Sequence, residues 1–144
     1  MDKKWIKINA AWKGELTFIA TNESGGQVQM GTINDIPGVG PMQLLLAGLA
    51  GCTGMDIVSI LKKKRIELDD FQVEVKALRA DTYPMIWTDI HVMYLFWAND
   101  IKTKDIEQAI KLSEEKYCSV SLMLGKSASL KSSYLILKPG EKPE

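Results

Sequence analysis

Two residues of this chain can do redox or nucleophilic chemistry, Cys52 and Cys118, and there is no third cysteine. The reacting form of a cysteine is its thiolate, and apolar surroundings raise a thiol's pKa, so a working cysteine needs a donor or a cation beside it. Two thiols far apart in the chain can also act as a pair if the fold joins them. One attacks an oxidant, and the other resolves the resulting sulfenic acid into a disulfide. The plainer reading is that each is a buried small hydrophobe, a common use of free cysteine. A single histidine, His91, and no CxxC or HxxxH pair accompany them. A zinc site would have to be assembled from scattered carboxylates, so no metal centre is expected. Two cysteines are too few for a disulfide-stapled secreted scaffold, which leaves thiols in a reducing compartment.

Cys52 must be positioned by a helix. It lies in Leu49-Ala50-Gly51-Cys52-Thr53-Gly54-Met55, inside a stretch, residues 44–55, that carries no charge and is apolar or small on every side. Pro41 follows a Gly- and Pro-rich loop over residues 34–40 and suits the first turn of that helix. All-round apolarity predicts a central core helix, and the window between Gln43 and Asp56 is too short for a bilayer span. Gly48, Gly51 and Gly54 each cost close to 1 kcal/mol relative to alanine, so a neighbouring sheet or another subunit is expected to approach that side closely. Lys62-Lys63-Lys64-Arg65 at the helix end could be a nucleic-acid patch. Cations there also complement the helix dipole, and Glu67, Asp69 and Asp70 follow at once. Asp56, one turn beyond Cys52, has the wrong sign to stabilise a thiolate. An activating cation must come from Arg79, from the lysines of the first strands or from a partner subunit.

The remaining elements follow from periodicity. Strands are predicted over residues 5–8, 15–20 and 27–30, and a hairpin over 71–77 and 86–97. Thr103 is the expected N-cap of a second helix with Asp105 and Glu107 in its first turn. Cys118 falls where a polar run meets an apolar one, before a helical piece over 119–130 and a strand over 134–137. The order βββ, helix, ββ, helix, helix, β is an α+β chain. With 144 residues, 46% hydrophobic and 25% charged, one domain is expected, residues 1–40 being a β-meander and loop and 138–144 a flexible tail. Eighteen basic residues balance eighteen acidic ones, so no field favours nucleic acid or an anionic membrane. Met1 to Trp12 lack a secretory pattern, and a cytoplasmic location is expected.

Two segments resemble a known family. Pro41-Met42-Gln43-Leu44-Leu45-Leu46-Ala47-Gly48-Leu49-Ala50-Gly51-Cys52, continued by Asp56-Ile57-Val58-Ser59-Ile60-Leu61-Lys62-Lys63-Lys64, is similar to the cysteine helix of the OsmC/Ohr proteins, the osmotically inducible and organic hydroperoxide resistance family. Ser113-Glu114-Glu115-Lys116-Tyr117-Cys118-Ser119-Val120 resembles their second-cysteine segment. The resemblance implies an OsmC-like fold with antiparallel sheets around a long central cysteine helix, in an intertwined homodimer. It also implies cofactor-free thiol peroxidase chemistry, with Cys52 peroxidatic and Cys118 resolving, a hydroperoxide as substrate and a dithiol as reductant. The family's peroxidases pair an N-terminal Arg with a Glu at the start of the cysteine helix. Here Met42 and Gln43 stand at the Glu region and the only arginines are Arg65 and Arg79. Arg79 is the possible substitute cation; its other reading is an exposed strand-end charge. The expected function is therefore reduction of organic hydroperoxides. The alternative is a family member with little peroxidase activity that binds an apolar small molecule or acts as a redox-responsive dimer.

Overall fold

A computed structural model describes residues 3–143; Met1 and Asp2 of the expected N-terminal segment, and Glu144 of the expected tail, lie outside the described residues. The chain divides into two compact units, Met1–Leu45 and Leu46–Glu144. In the first, β1 (Ile8–Trp12), β2 (Phe18–Asn22) and β3 (Gln27–Met30) form an antiparallel sheet in that order. The expected meander is present but displaced, because the alternating residues Trp5 and Ile6 are exposed and precede the sheet. The β2–β3 turn closes on Asn22, whose Oδ1 accepts from the N–H groups of Ser24 at 3.0 Å and Gly26 at 2.7 Å. Residues 34–40, expected as a loop, supply half of a small hairpin of β4 (Thr32–Ile33) with β5 (Ile36–Pro37). Asn34 and Asp35 at its tip take φ values of 49° and 62°, the left-handed conformation a two-residue hairpin turn requires.

Helix α1 (Pro41–Lys63) begins at the expected proline, and the division between the units falls in its first turns. The second unit continues with β6 (Asp70–Arg79), β7 (Trp87–Trp97), α2 (Thr103–Leu112), a single π-helical turn (Ser113–Tyr117), α3 (Ser119–Leu124) and β8 (Ser129–Leu137). The three strands form one sheet in the order β6-β7-β8. β6 and β7 pair antiparallel as expected, whereas β8 runs parallel to β7, Asp89 facing Ser129 and Trp97 facing Leu137. The helical crossover explains this, since a parallel partner needs a long connection back to the start of the preceding strand. The second sheet is thus mixed rather than purely antiparallel. α2 also starts differently: Thr103 is its first residue and Lys102 its N-cap, without a side-chain capping bond.

Along β7, Ile90, Val92, Tyr94 and Phe96 alternate into the core, where they meet Leu49, Ile57 and Leu61 of α1 and Ile106, Ala109 and Ile110 of α2. Phe71 of β6 stacks on Phe96 with ring centroids 4.7 Å apart. α1 itself is not buried all round. Its buried residues are Leu49, Thr53, Ile57 and Leu61, a stripe repeating every fourth position. A helix lying on one face of one sheet buries one such stripe, and Leu45, Met55 and Val58 remain exposed, Met55 at 76%. By length and composition α1 could cross a bilayer, but this stripe is packed into the core. The close approach expected at the glycines is also absent among the described residues. A Cβ at Gly54 would make ordinary contacts with Val73 and Phe71, and at Gly48 or Gly51 it would meet nothing within 4 Å.

Candidate functional site

Cys52 and Asp56 are four residues apart on α1, a spacing that stacks two side chains on one face of a helix. Cys118 arrives from the crossover. The π-helical turn closes with the Cys118 N–H donating to the Ser113 carbonyl at 2.7 Å, and Cys118 becomes the N-cap of α3. The two sulfurs and a carboxylate oxygen of Asp56 then lie within 4.8 Å of one another. Both cysteines are free thiols; Cys52 is half-buried and Cys118 fully buried.

Ser113, wholly buried, donates from Oγ to Asp56 Oδ2 at 2.9 Å and so orients the carboxylate. Burial pushes the Cys118 thiol above its ordinary pKa, and hydrogen-bonding contact with Cys52 adds to the rise. Ser121 opposes it, its N–H donating to Cys118 Sγ at 3.3 Å. Behind Cys118 stands a polar network. Tyr94, with no exposed surface, donates its hydroxyl to Glu114 Oε2 at 2.8 Å, and Ser132 donates to the other oxygen at 3.0 Å. Burial, followed by the neighbouring Glu114, holds the Tyr94 phenol far above its usual range. A groove of about 500 Å³ adjoins Asp56, with Ser59, Lys63 and Tyr117 also on its walls.

Arg79 is not among these groups. It sits exposed at the end of β6, where Nε donates to the Met85 carbonyl at 2.7 Å and the guanidinium lies 5.7 Å from the Trp87 ring centroid. Within one chain this is the strand-end reading. Gln43, at the start of α1, is likewise engaged. Its Oε1 accepts the Gly40 N–H at 2.8 Å, the backward reach of a capping box, in which the third helical residue satisfies the N-cap amide. In the sequence Asp56 reads only as a charge of the wrong sign for a thiolate, whereas the structure makes it part of the site. Its Cys-x-x-x-Asp spacing was the available signal. Ser113, Tyr94, Glu114 and Ser132 gave no comparable signal, since their roles depend on contacts between distant segments.

Residues 33–133 match the family model described as OsmC-like protein. The chain belongs to the OsmC-like family. Among its relatives, Protein YhfA of Escherichia coli strain K12 is 34% identical over 132 residues, covering 92% of this chain and 98% of that protein. A hypothetical protein from Aquifex aeolicus VF5 has a crystal structure that superposes with a TM-score of 0.84 at 34% identity, over 97% of this chain and 100% of the other. The organic hydroperoxide resistance protein OhrB of Bacillus subtilis shares the fold at a TM-score of 0.60 and 19% identity, over 92% and 98% of the two chains.

Proposed function

We propose that this OsmC-like protein is a thiol peroxidase that reduces organic hydroperoxides. The observation that carries the reading is the approach of the half-buried Cys52 and the fully buried Cys118, whose sulfurs lie within 4.8 Å of one another. The Cys52 thiolate attacks the distal oxygen of the hydroperoxide, the O–O bond breaks, and the alcohol leaves with the proton that the thiol gave up. Asp56, oriented by Ser113, accepts that proton and returns it to the departing oxygen. Cys118 then attacks the sulfenic sulfur of Cys52, water leaves, and a disulfide forms. A dithiol reductant restores both thiols. Organic rather than inorganic peroxide suits the apolar packing around Cys52, which lies against the core containing Leu49, Ile57 and Cys118.

The same reading makes the 144 residues one functional domain of a soluble cytoplasmic homodimer. The support is α1, whose Leu45, Met55 and Val58 are exposed and whose Gly48 and Gly51 face open space. A second reading, a redox-responsive dimer or apolar binder with little turnover, is favoured by the capping role of Gln43 and the position of Arg79. Reduced protein given one equivalent of cumene hydroperoxide should form a Cys52–Cys118 disulfide detectable by mass spectrometry. Continued peroxide consumption with excess dithiol then supports the peroxidase, and a disulfide without turnover supports the second reading. Intact thiols after exposure would remove the peroxidase and the redox-responsive dimer and leave only the apolar binder.

A further inference from the structure

We propose that the reduced cluster of Cys52, Asp56 and Cys118 is also a binding site for a thiophilic divalent cation, zinc fitting best. The two sulfurs and one carboxylate oxygen already lie within 4.8 Å of one another. Around a tetrahedral zinc, with Zn–S about 2.3 Å and Zn–O about 2.0–2.2 Å, donor atoms sit roughly 3.5–3.8 Å apart. Closure therefore needs about 1 Å of side-chain adjustment. The donor types suit the ion: two soft thiolates with one carboxylate select zinc over magnesium or calcium, and three protein ligands leave a fourth position for water. The scaffold is suited as well. Cys52 and Asp56 share a face of one long helix, Ser113 holds the carboxylate from outside the cluster at 2.9 Å, and Cys118 is fixed by the π-helical turn. Such outer hydrogen bonds orient ligands and raise affinity.

Binding replaces the two thiol protons, which pass to the buffer, and changes no oxidation state. The bound ion would shield both sulfurs from peroxide, and a disulfide would remove both sulfur ligands and release the ion. This inference rests on the sulfur and carboxylate geometry and not on peroxidase activity.

The test is an anaerobic titration of the reduced, metal-free full chain with Co²⁺, followed by displacement with Zn²⁺. One Co²⁺ per chain should bind, with a thiolate-to-cobalt charge-transfer band in the near ultraviolet and visible bands of tetrahedral intensity. Cys118→Ser should halve the charge-transfer band per metal and weaken binding at least about tenfold. Cys52→Ser, at the half-buried ligand, should do the same, and it supplies the reading where the buried Cys118→Ser substitution unfolds the chain. Asp56→Asn should keep the two-sulfur band but weaken binding by about tenfold or more. Absence of a sulfur band in the reduced wild type, or binding unchanged by Asp56→Asn, would overturn the proposal. A chain that forms the disulfide yet never shows the band would lose the metal site and keep the peroxidase reading.

Discussion

The sulfurs of Cys52 and Cys118 lie within 4.8 Å of one another, yet of the two only Cys52 has solvent access, because Cys118 is fully enclosed by the core. A hydroperoxide entering from solvent therefore meets Cys52 first. Cys52→Ser should abolish peroxide consumption. Cys118→Ser should allow a single turnover and accumulate a sulfenic acid that dimedone traps on Cys52, as read by stopped-flow kinetics and mass spectrometry. Equal residual turnover in the two variants would reverse or remove these roles.

The enclosure of Cys118 also has a pH signature. Burial and contact with Cys52 raise its thiol pKa above the ordinary value of 9.0. The folded state thus holds the proton after the unfolded chain has released it. Its contribution to stability is fully present below the unfolded pKa and is lost as pH rises through the folded one. Urea unfolding between about pH 8 and pH 10.5 should show stability falling more steeply for the wild type than for Cys118→Ala. Tyr94 is common to both chains, so the difference isolates the thiol. The disulfide-closing step should accelerate over the same range.

Tyr94→Phe removes one of the two donors to the Glu114 carboxylate and leaves Ser132 as the other. Because the phenol is fully buried and its acceptor is charged, the loss should be about 1–2 kcal/mol in chemical denaturation. Ser132→Ala, at the more exposed end, should cost less.

The open side of α1 gives a test of assembly. A Cβ at Gly48 meets nothing within 4 Å among the described residues, and a leucine there gains helix propensity of roughly 0.8–1 kcal/mol. On the proposed homodimer, Gly48→Leu should therefore leave a folded chain while shifting sedimentation from twice the 16.1 kDa chain mass toward one chain. A Gly48→Leu protein that remains dimeric would place the interface elsewhere.

Arg79→Ala should change neither the rate of Cys52 oxidation nor its pH dependence, because the guanidinium is engaged by Met85 and Trp87. The expected effect is a stability loss of about 0.5–1 kcal/mol from the exposed cation–π contact. A slowed reaction with unchanged stability would restore Arg79 as the activating cation.

Much of the framework was legible because it is written in local pattern. Pro41 marked the start of α1, the alternation over residues 71–77 marked β6, and the run over 86–97 marked β7. The parallel entry of β8 was not legible, since strand direction is set by where a crossover returns the chain rather than by the strand's own residues. α1 misled because all-round apolarity does not say whether the chain's own core or another surface covers each side. The cysteines were visible as a pair, but Asp56 changed meaning only once Ser113 and Cys118 stood beside it. The small hairpin at Asn34 and Asp35 carried a readable turn signal that the Gly and Pro content of the segment obscured.

The π-helical turn makes the number of residues before Cys118 as constraining as their identity. Positions five apart on a regular α-helix point roughly 140° away from each other. Here Ser113 and Cys118 are both buried on the side of α1, one gripping Asp56 and the other touching Cys52. A one-residue insertion between them would preserve the apolar stripe of α2 and every side chain of the cluster, yet rotate the second thiol away from the first, whereas a one-residue deletion would leave the two positions four apart and on one face of a regular α-turn. The segment therefore tolerates no further residue, because the π turn already takes up the one it holds beyond a regular α-turn.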